Sequence, residues 1–356
     1  MNKPTLLSQI KNIRLQSFNR RSFWIALIGG FFMALMQNMG GDFTLFSPLP
    51  EKSTKVHADG IERILPNLYK KENMVNLEKK STMIDLDVAA KAYMVVDMKD
   101  QSIISEKNSD TPLPVASLTK IMTAVVALDL ASSDEYFTVS ERASKIPPTK
   151  IGVVPGEKMQ LSELLHAVLL TSANDATEVV REGIDTKYGE SIFVRAMNEK
   201  AKILGLTSTH FVNPQGFDAR GQLSSAQDLA ILSLYAMENY PEIRDIARKD
   251  YQFLPESSFH KQFDLQNWNG LIGVYPNAFG LKTGITENAG NTTIVMASRD
   301  DTDILTVVLG TESIVARDLA AATLLDAGFA ASSELSPIAV NESMLQARYG
   351  QWKFYN

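Results

Sequence analysis

The spacing of apolar residues between positions 92 and 330 changes twice. AYMVVDMKDQSII (92–104) holds two short apolar runs about Lys99-Asp100-Gln101-Ser102, which predicts two strands joined by a turn. VASLTKIMTAVVALDLA (115–131) then reads as a helix. LSELLHAVLLTSANDATEVVREGI (161–184) keeps helical spacing apart from a polar break at Ser172-Ala173-Asn174. SIFVRAMNEKAKILGL (191–206) and SSAQDLAILSLYAMEN (224–239) continue the helical period. From 278 the pattern shortens again. AFGLKTGIT, NTTIVMASRD and DILTVVLG read as three strands, with Asp300-Asp301 as the turn between the last two. ARDLAAATLLDAGF (316–329) closes the series as a helix. A strand pair, helices, three strands and a helix predict an α+β domain over 87–330, an antiparallel sheet flanked by helices.

The first 86 residues follow a different pattern. Residues 1–21 carry Lys3, Lys11, Arg14, Arg20 and Arg21 and no acid, and an uncharged stretch of 20 residues, 22–41, follows. Its strongly apolar centre, Phe23 to Met36, is of signal-peptide length, yet no Ala-x-Ala-like cleavage site follows it. The expectation is a cytoplasmic basic N-terminus and a membrane anchor or signal segment, with the rest of the chain outside the membrane. Residues 42–86 are polar and of mixed charge, which predicts a tether; if flexible, it spans about 35–40 Å. At the other end, 331–356 is an aromatic tail that could pack on the domain or on a partner.

Composition narrows the chemistry. The chain has 356 residues and a net charge of −6, which argues against a nucleic-acid partner. With no cysteine, thiol catalysis, disulfides and cysteine metal sites are excluded. The four histidines (His57, His166, His210 and His260) are scattered and read as structural, and no metal or cofactor is expected.

Ser-x-x-Lys occurs at Ser8, Ser117 and Ser258, and carries no signal alone. Order and setting carry it. Ser117-Leu118-Thr119-Lys120 opens an apolar helix, Ser172-Ala173-Asn174 interrupts another, and Lys282-Thr283-Gly284 lies on a strand. A serine hydroxyl needs a base within reach, and a lysine one turn away is the candidate here. Lysine is protonated near neutrality, with an ordinary pKa of about 10.4, unless burial and a second cation push that value down. Lys282 is the candidate cation, Ser172 a proton relay, and Asn174 a support for Lys120 or a substrate amide. The backbone N–H groups of Ser117 and Ile285 are candidate oxyanion donors.

At these residues the chain resembles the D-alanyl-D-alanine carboxypeptidases, the low-molecular-weight serine penicillin-binding proteins of peptidase family S11. NPQGF (213–217) resembles that family's Asn-Pro-His-Gly-Leu loop, with Gln215 in place of histidine. LSSAQDLAIL is similar to its Ser-Thr-Ala-x-Asp-Leu-Ala helix, NWNGLI to its Asn-x-Asn-x-Leu-Leu stretch, and GLKTGITENAG to its strand. The resemblance implies the β-lactamase/DD-peptidase fold with an all-helical subdomain. Ser117 would be the acylated nucleophile, Lys120 the base, Ser172 and Asn174 the second motif, and Lys282, Thr283 and Gly284 a strand wall. Thr286 and Arg317 fall at positions that bind the substrate's terminal carboxylate. The implied partners are peptidoglycan stem peptides and, as covalent inhibitors, β-lactams.

Two rivals stand beside carboxypeptidase action: a DD-endopeptidase cutting cross-links, and a sensor of β-lactams or wall fragments. A β-lactamase is disfavoured, because no Glu-x-x-Leu-Asn lies between Ser172 and Lys282. A sensor is disfavoured by the short segment preceding the apolar stretch.

Overall fold

The computed structural model describes residues 66–69, 73–80 and 83–352. The basic N-terminus, the apolar segment at 22–41 and the first part of the tether lie outside the described residues, as do Ser8 and His57. Among the described residues no helix is long and apolar enough to cross a membrane.

Strand β1 (Glu78–Lys79) leads to the hairpin of β2 (Ala92–Asp97) and β3 (Ser102–Lys107). A 3-10 turn at Ala116–Thr119 opens α1 (Lys120–Leu130). Next come β4 (Tyr136–Thr138), the single turn α2 (Glu141–Ser144) and β5 (Lys158–Gln160). The helices α3 (Leu161–Leu169), α4 (Asn174–Tyr188), α5 (Ile192–Ile203), α6 (Ala226–Asn239) and α7 (Pro241–Ala247) follow. A hairpin of β6 (Tyr251–Leu254) and β7 (Phe263–Gln266) precedes β8 (Ala278–Thr286), β9 (Gly290–Arg299) and β10 (Thr302–Thr311). The chain ends in α8 (Ile314–Ser333) and α9 (Glu342–Tyr349).

Six strands form one sheet in the order β1-β3-β2-β10-β9-β8. Pairing is antiparallel except at the edge, where β1 runs parallel to β3. Side chains alternate between two buried faces, as the period of two requires. Ala92, Met94 and Val96 of β2 join Ile294, Met296, Leu305 and Val307 on the face covered by α1 and the helical layer. Tyr93, Val95, Val295, Ala297, Ile304 and Val308 face α8 and α9. Burial on both faces is why these strands read as continuous apolar runs. The α1 helix is buried over its whole length except Leu128 and Asp129, as expected of a helix apolar all round. It runs through the centre of the helical layer and carries Lys120 at its first position.

The expected boundary at residue 87 lies too late. Leu68 is fully buried, and its carbonyl accepts a bond from Lys200 Nζ at 3.0 Å. β1 pairs with Ser102 and Ile103, and Ile84 N–H donates to Ile104 O at 3.1 Å. Backbone pairing of this kind needs no apolar side chains, so mixed-charge composition concealed it. The tail also packs on the domain. Asn341 caps α9, and Leu345, Tyr349 and Trp352 are buried in the core beneath α8. Burial of a side chain the size of Leu345 contributes about 1.5–3 kcal/mol.

Candidate active site

The 3-10 turn decides how Ser117 meets Lys120. In that geometry residues i and i+3 lie directly above one another. Ser117 Oγ stands 2.9 Å from Lys120 Nζ. Lys120 Nζ is also 2.7 Å from Asn174 Oδ1 and 2.7 Å from the carbonyl of Gln215. A neutral amine has two N–H groups and one lone pair. The amide and carbonyl oxygens can only accept, so they take the two N–H groups and the lone pair is left for the Ser117 hydroxyl.

Burial favours the neutral amine. Lys120 is 0% exposed. Burial first, and the charge of Lys282 second, hold its pKa well below the ordinary lysine value. Lys200 is equally buried but ion-pairs with Asp129 at 2.9 Å, whereas neither Lys120 nor Lys282 meets a carboxylate among the described residues. Lys282 is buried on β8 and donates to the Thr283 carbonyl at 2.8 Å. Burial and then the neighbouring Arg317 push its pKa down to about 7.

Ser172 stands in the loop between α3 and α4 with φ +61°, and it borders the same pocket as Ser117. The contacts of Lys120 and Lys282 go to the oxygens just named and not to Ser172. Asn174 is tied to the loop at 147–149 as well as to Lys120. Its Nδ2 donates to the Pro147 carbonyl at 3.2 Å and its backbone N–H to Thr149 O at 2.7 Å. Next to it, the buried carboxylate of Asp175 accepts from the backbone N–H groups of Ile151, Gly152 and Val153. The loop that supplies Pro148 and Thr149 to the pocket is therefore tied down at several points.

Strand β8 is the edge of the sheet facing Ser117. An edge strand offers backbone groups to which an extended peptide can add. Gly284 is required there: a Cβ at this position would stand 2.8 Å from the Ser117 backbone nitrogen, over the candidate oxyanion donor. Gly216 allows the second close approach. Its φ is +87°, and a Cβ there would meet Ala116 O at 2.0 Å. Thr283 is buried, while Ile285 is 62% exposed at the mouth of the pocket. The pocket encloses about 220 Å³ and is lined by Ser117, Ser172, Asn174, Thr283–Thr286 and Arg317. A larger hollow of about 610 Å³ lies between β4 and α4; there Arg181 is paired with Glu178, Glu182 and Asp185.

Thr286 and Arg317 differ from the simplest expectation. The Thr286 hydroxyl donates to Asp218 Oδ1 at 2.7 Å, and Asp218 Oδ2 accepts from Asn288 N–H at 3.0 Å. Arg317 lies in the first turns of α8 behind the Ser313 cap. It is buried and grips Asp318 through Nε (2.7 Å) and Nη2 (3.0 Å).

Sequence reasoning missed several neighbours. Glu178 lies four residues after Asn174 and so on the same face of α4. It is buried, accepts from Gln215 Nε2 at 2.6 Å, and is held by Arg142 (3.0 Å) and Arg181 (2.6 Å). Gln215 thus takes up its side chain with Glu178 while its carbonyl holds Lys120. The i+4 spacing was a usable signal for Glu178. Trp268, which also lines the pocket, gave none, and for Trp352 the only signal was the aromatic character of the tail. His166, His210 and His260 bond to the backbone carbonyls of Ser162, Gly221 and Lys261 and do not line the pocket.

Residues 78–313 match a family model described as D-alanyl-D-alanine carboxypeptidase. This chain belongs to that family. The D-alanyl-D-alanine carboxypeptidase DacF of Bacillus subtilis is 35% identical over 246 residues, covering 67% of this chain and 62% of its own length. DacB2 of Mycobacterium tuberculosis is 30% identical, covering 70% of this chain and 86% of its own. The match thus spans less than two thirds of the Bacillus relative. Among solved structures, a D-alanyl-D-alanine carboxypeptidase from Mycobacterium tuberculosis superposes with a TM-score of 0.64 at 28% identity, covering 73% of this chain and 98% of that one. A Streptomyces DD-transpeptidase gives 0.64 at 26% identity, covering 70% and 100%. The fold is the penicillin-binding DD-peptidase fold expected from the three motifs.

Proposed function

We propose that this member of the carboxypeptidase family removes the terminal D-alanine from peptidoglycan stem pentapeptides through a Ser117 acyl-enzyme, and that β-lactams acylate the same serine. The observation that carries this reading is Lys120, fully buried, without a carboxylate partner among the described residues, and 2.9 Å from Ser117 Oγ. In acylation the Ser117 hydroxyl oxygen attacks the carbonyl of the penultimate D-alanine while its proton passes to Lys120 Nζ. The oxyanion forms beside the Ser117 N–H and the β8 backbone at Ile285. Collapse breaks the peptide bond, and the departing amine takes the proton back from Lys120, with Ser172 at the pocket edge as the relay. Water then attacks the ester, again losing its proton to Lys120, and restores the free hydroxyl.

Arg317 is proposed to hold the terminal carboxylate, since it lines the pocket and keeps its charge at any working pH. Thr286 contributes less, because its hydroxyl already donates to Asp218. The test is product analysis on a pentapeptide, an amide-capped analogue and a cross-linked muropeptide. Free D-alanine should appear from the first. Arg317→Ala should cut that release about ten- to a hundredfold, the worth of one charge-assisted contact, and barely change the slow cleavage of the capped peptide. Equal losses on both peptides would make Arg317 structural. Wild-type cleavage of the cross-link in preference to the pentapeptide would replace the carboxypeptidase reading by the endopeptidase one.

The same reading puts the domain on the outer side of the cytoplasmic membrane, tethered by the segment at 22–41. It is supported by the basic cluster before that segment and the lack of a small-x-small site after Met36. N-terminal sequencing of protein from membranes should find the segment retained. A mature chain starting between residues 37 and 60 would mean release instead.

A further inference from the structure

We propose that the C-terminal tail builds the leaving-group side of the pocket, with Trp352 and Trp268 limiting the size of the residue released. The proposal rests on the carboxypeptidase reading, because that reading assigns the terminal carboxylate to Arg317.

Trp352 is buried and borders the same pocket as Ser117 and Arg317. Its position follows from α9. Trp352 N–H donates to the Tyr349 carbonyl at 3.0 Å, and the two rings lie 5.0 Å apart. Tyr349 OH donates to Asp318 Oδ2 at 2.8 Å, and Asp318 is the carboxylate gripped by Arg317. A short chain of contacts therefore links Trp352 to Arg317, and both line the one pocket. From the other side Trp268 brings its ring to within 6.0 Å of Trp352, tilted by 33°. Two residues on, Gly270 admits this approach: a Cβ there would meet Asp318 Oδ2 at 2.1 Å and the Tyr349 ring at 2.7 Å.

A terminal residue whose carboxylate lies at Arg317 thus has its side chain against the indole faces and Ile314. D-Alanine presents one methyl group to this wall. A longer side chain, or the bulkier amine of a cross-linked partner, has to displace an indole packed on the core. The tail lies beyond residue 313, where the family match ends, and Trp268 occupies the variable position of Asn-x-Asn. The wall is therefore built outside the Ser-x-x-Lys, Ser-x-Asn and Lys-Thr-Gly motifs.

The test compares release from acetylated lysyl peptides ending in D-Ala-D-Ala and in D-Ala-D-Leu. The wild type should favour the D-alanine peptide strongly, since one methylene in an apolar pocket changes kcat/KM by about 10- to 200-fold. Trp352→Ala and Trp268→Ala should each narrow that ratio at least tenfold by gaining on the D-leucine peptide. Trp352→Phe should retain most of it. A benzylpenicillin adduct on each variant shows that its site is still folded. An unchanged ratio in both alanine variants would overturn the proposal and leave the carboxypeptidase reading standing. So would equal losses on the two peptides, which would make the tail a structural support only. A wild type that releases neither amino acid, though acylated by penicillin, would overturn that reading and the proposal with it.

Discussion

Ser117→Ala protein exposed to benzylpenicillin should show no mass increment, while the wild type gains one drug molecule per chain. The expectation rests on three features that coincide at no other serine among the described residues. Ser117 lies on a 3-10 turn against β8, its hydroxyl is 2.9 Å from Lys120, and the pocket opens over it. The rival Ser258-x-x-Lys261 lacks all of them: Lys261 is exposed and donates to the Gly152 carbonyl. Turnover of the peptide should fall by about 10⁶-fold, the order seen when a serine protease loses its nucleophile. Intact-protein mass spectrometry decides the matter. An adduct surviving on the variant would place the nucleophile elsewhere.

Lys120 gives the second large effect. Lys120→Ala should slow acylation by about 10²–10⁴-fold, the usual worth of a positioned proton acceptor. Lys120→Arg should not rescue it, because a guanidinium stays protonated and has no lone pair to offer. Stopped-flow acylation by a chromogenic β-lactam measures both, and near-normal acylation by the arginine variant would contradict the mechanism. The same assay has a predicted pH dependence. Only neutral Lys120 accepts the proton, so the rate should fall as pH drops through its lowered pKa. Replacing Lys282 by glutamine removes a neighbouring positive charge, which raises the pKa of Lys120 and moves the acid limb to higher pH. The displacement should be largest below about pH 7, where Lys282 itself is charged. An unmoved limb would mean that burial alone sets the value.

The parts of the fold legible in the sequence were the long elements with a single period. The strand expected at 278–286 has those bounds, and the helices expected around 115–131, 191–206 and 224–239 are present. The short elements were not legible. Tyr136–Thr138 and Lys158–Gln160 are three residues each, too few to establish an alternation, and α7, α9 and the β6–β7 hairpin carry no distinct pattern either. At the site, Ser117, Lys120, Asn174 and Lys282 are side chains with recognisable chemistry. The Gln215 contact to Lys120 is a backbone carbonyl, which any residue at that position supplies, and so it leaves no trace in the sequence.

The sequence by itself determined which groups are available: a serine and a lysine at i and i+3, a Ser-x-Asn that interrupts a helix, and a second lysine on a strand. Those are local facts of identity and spacing. Whether Lys120 is a base or an ordinary ammonium was decided only by the tertiary structure. Its pKa depends on the water excluded by α4, the 213–217 loop and β8, and on the charge of Lys282, none of which is near it in the chain. The tail shows the same division. Its aromatic composition indicated that something would be covered. Only the bond from Tyr349 to Asp318 and the packing of Trp352 on Trp268 brought Trp352 to the pocket that Arg317 lines, because burial is a property of neighbours brought together by folding and not of the segment that carries the side chain.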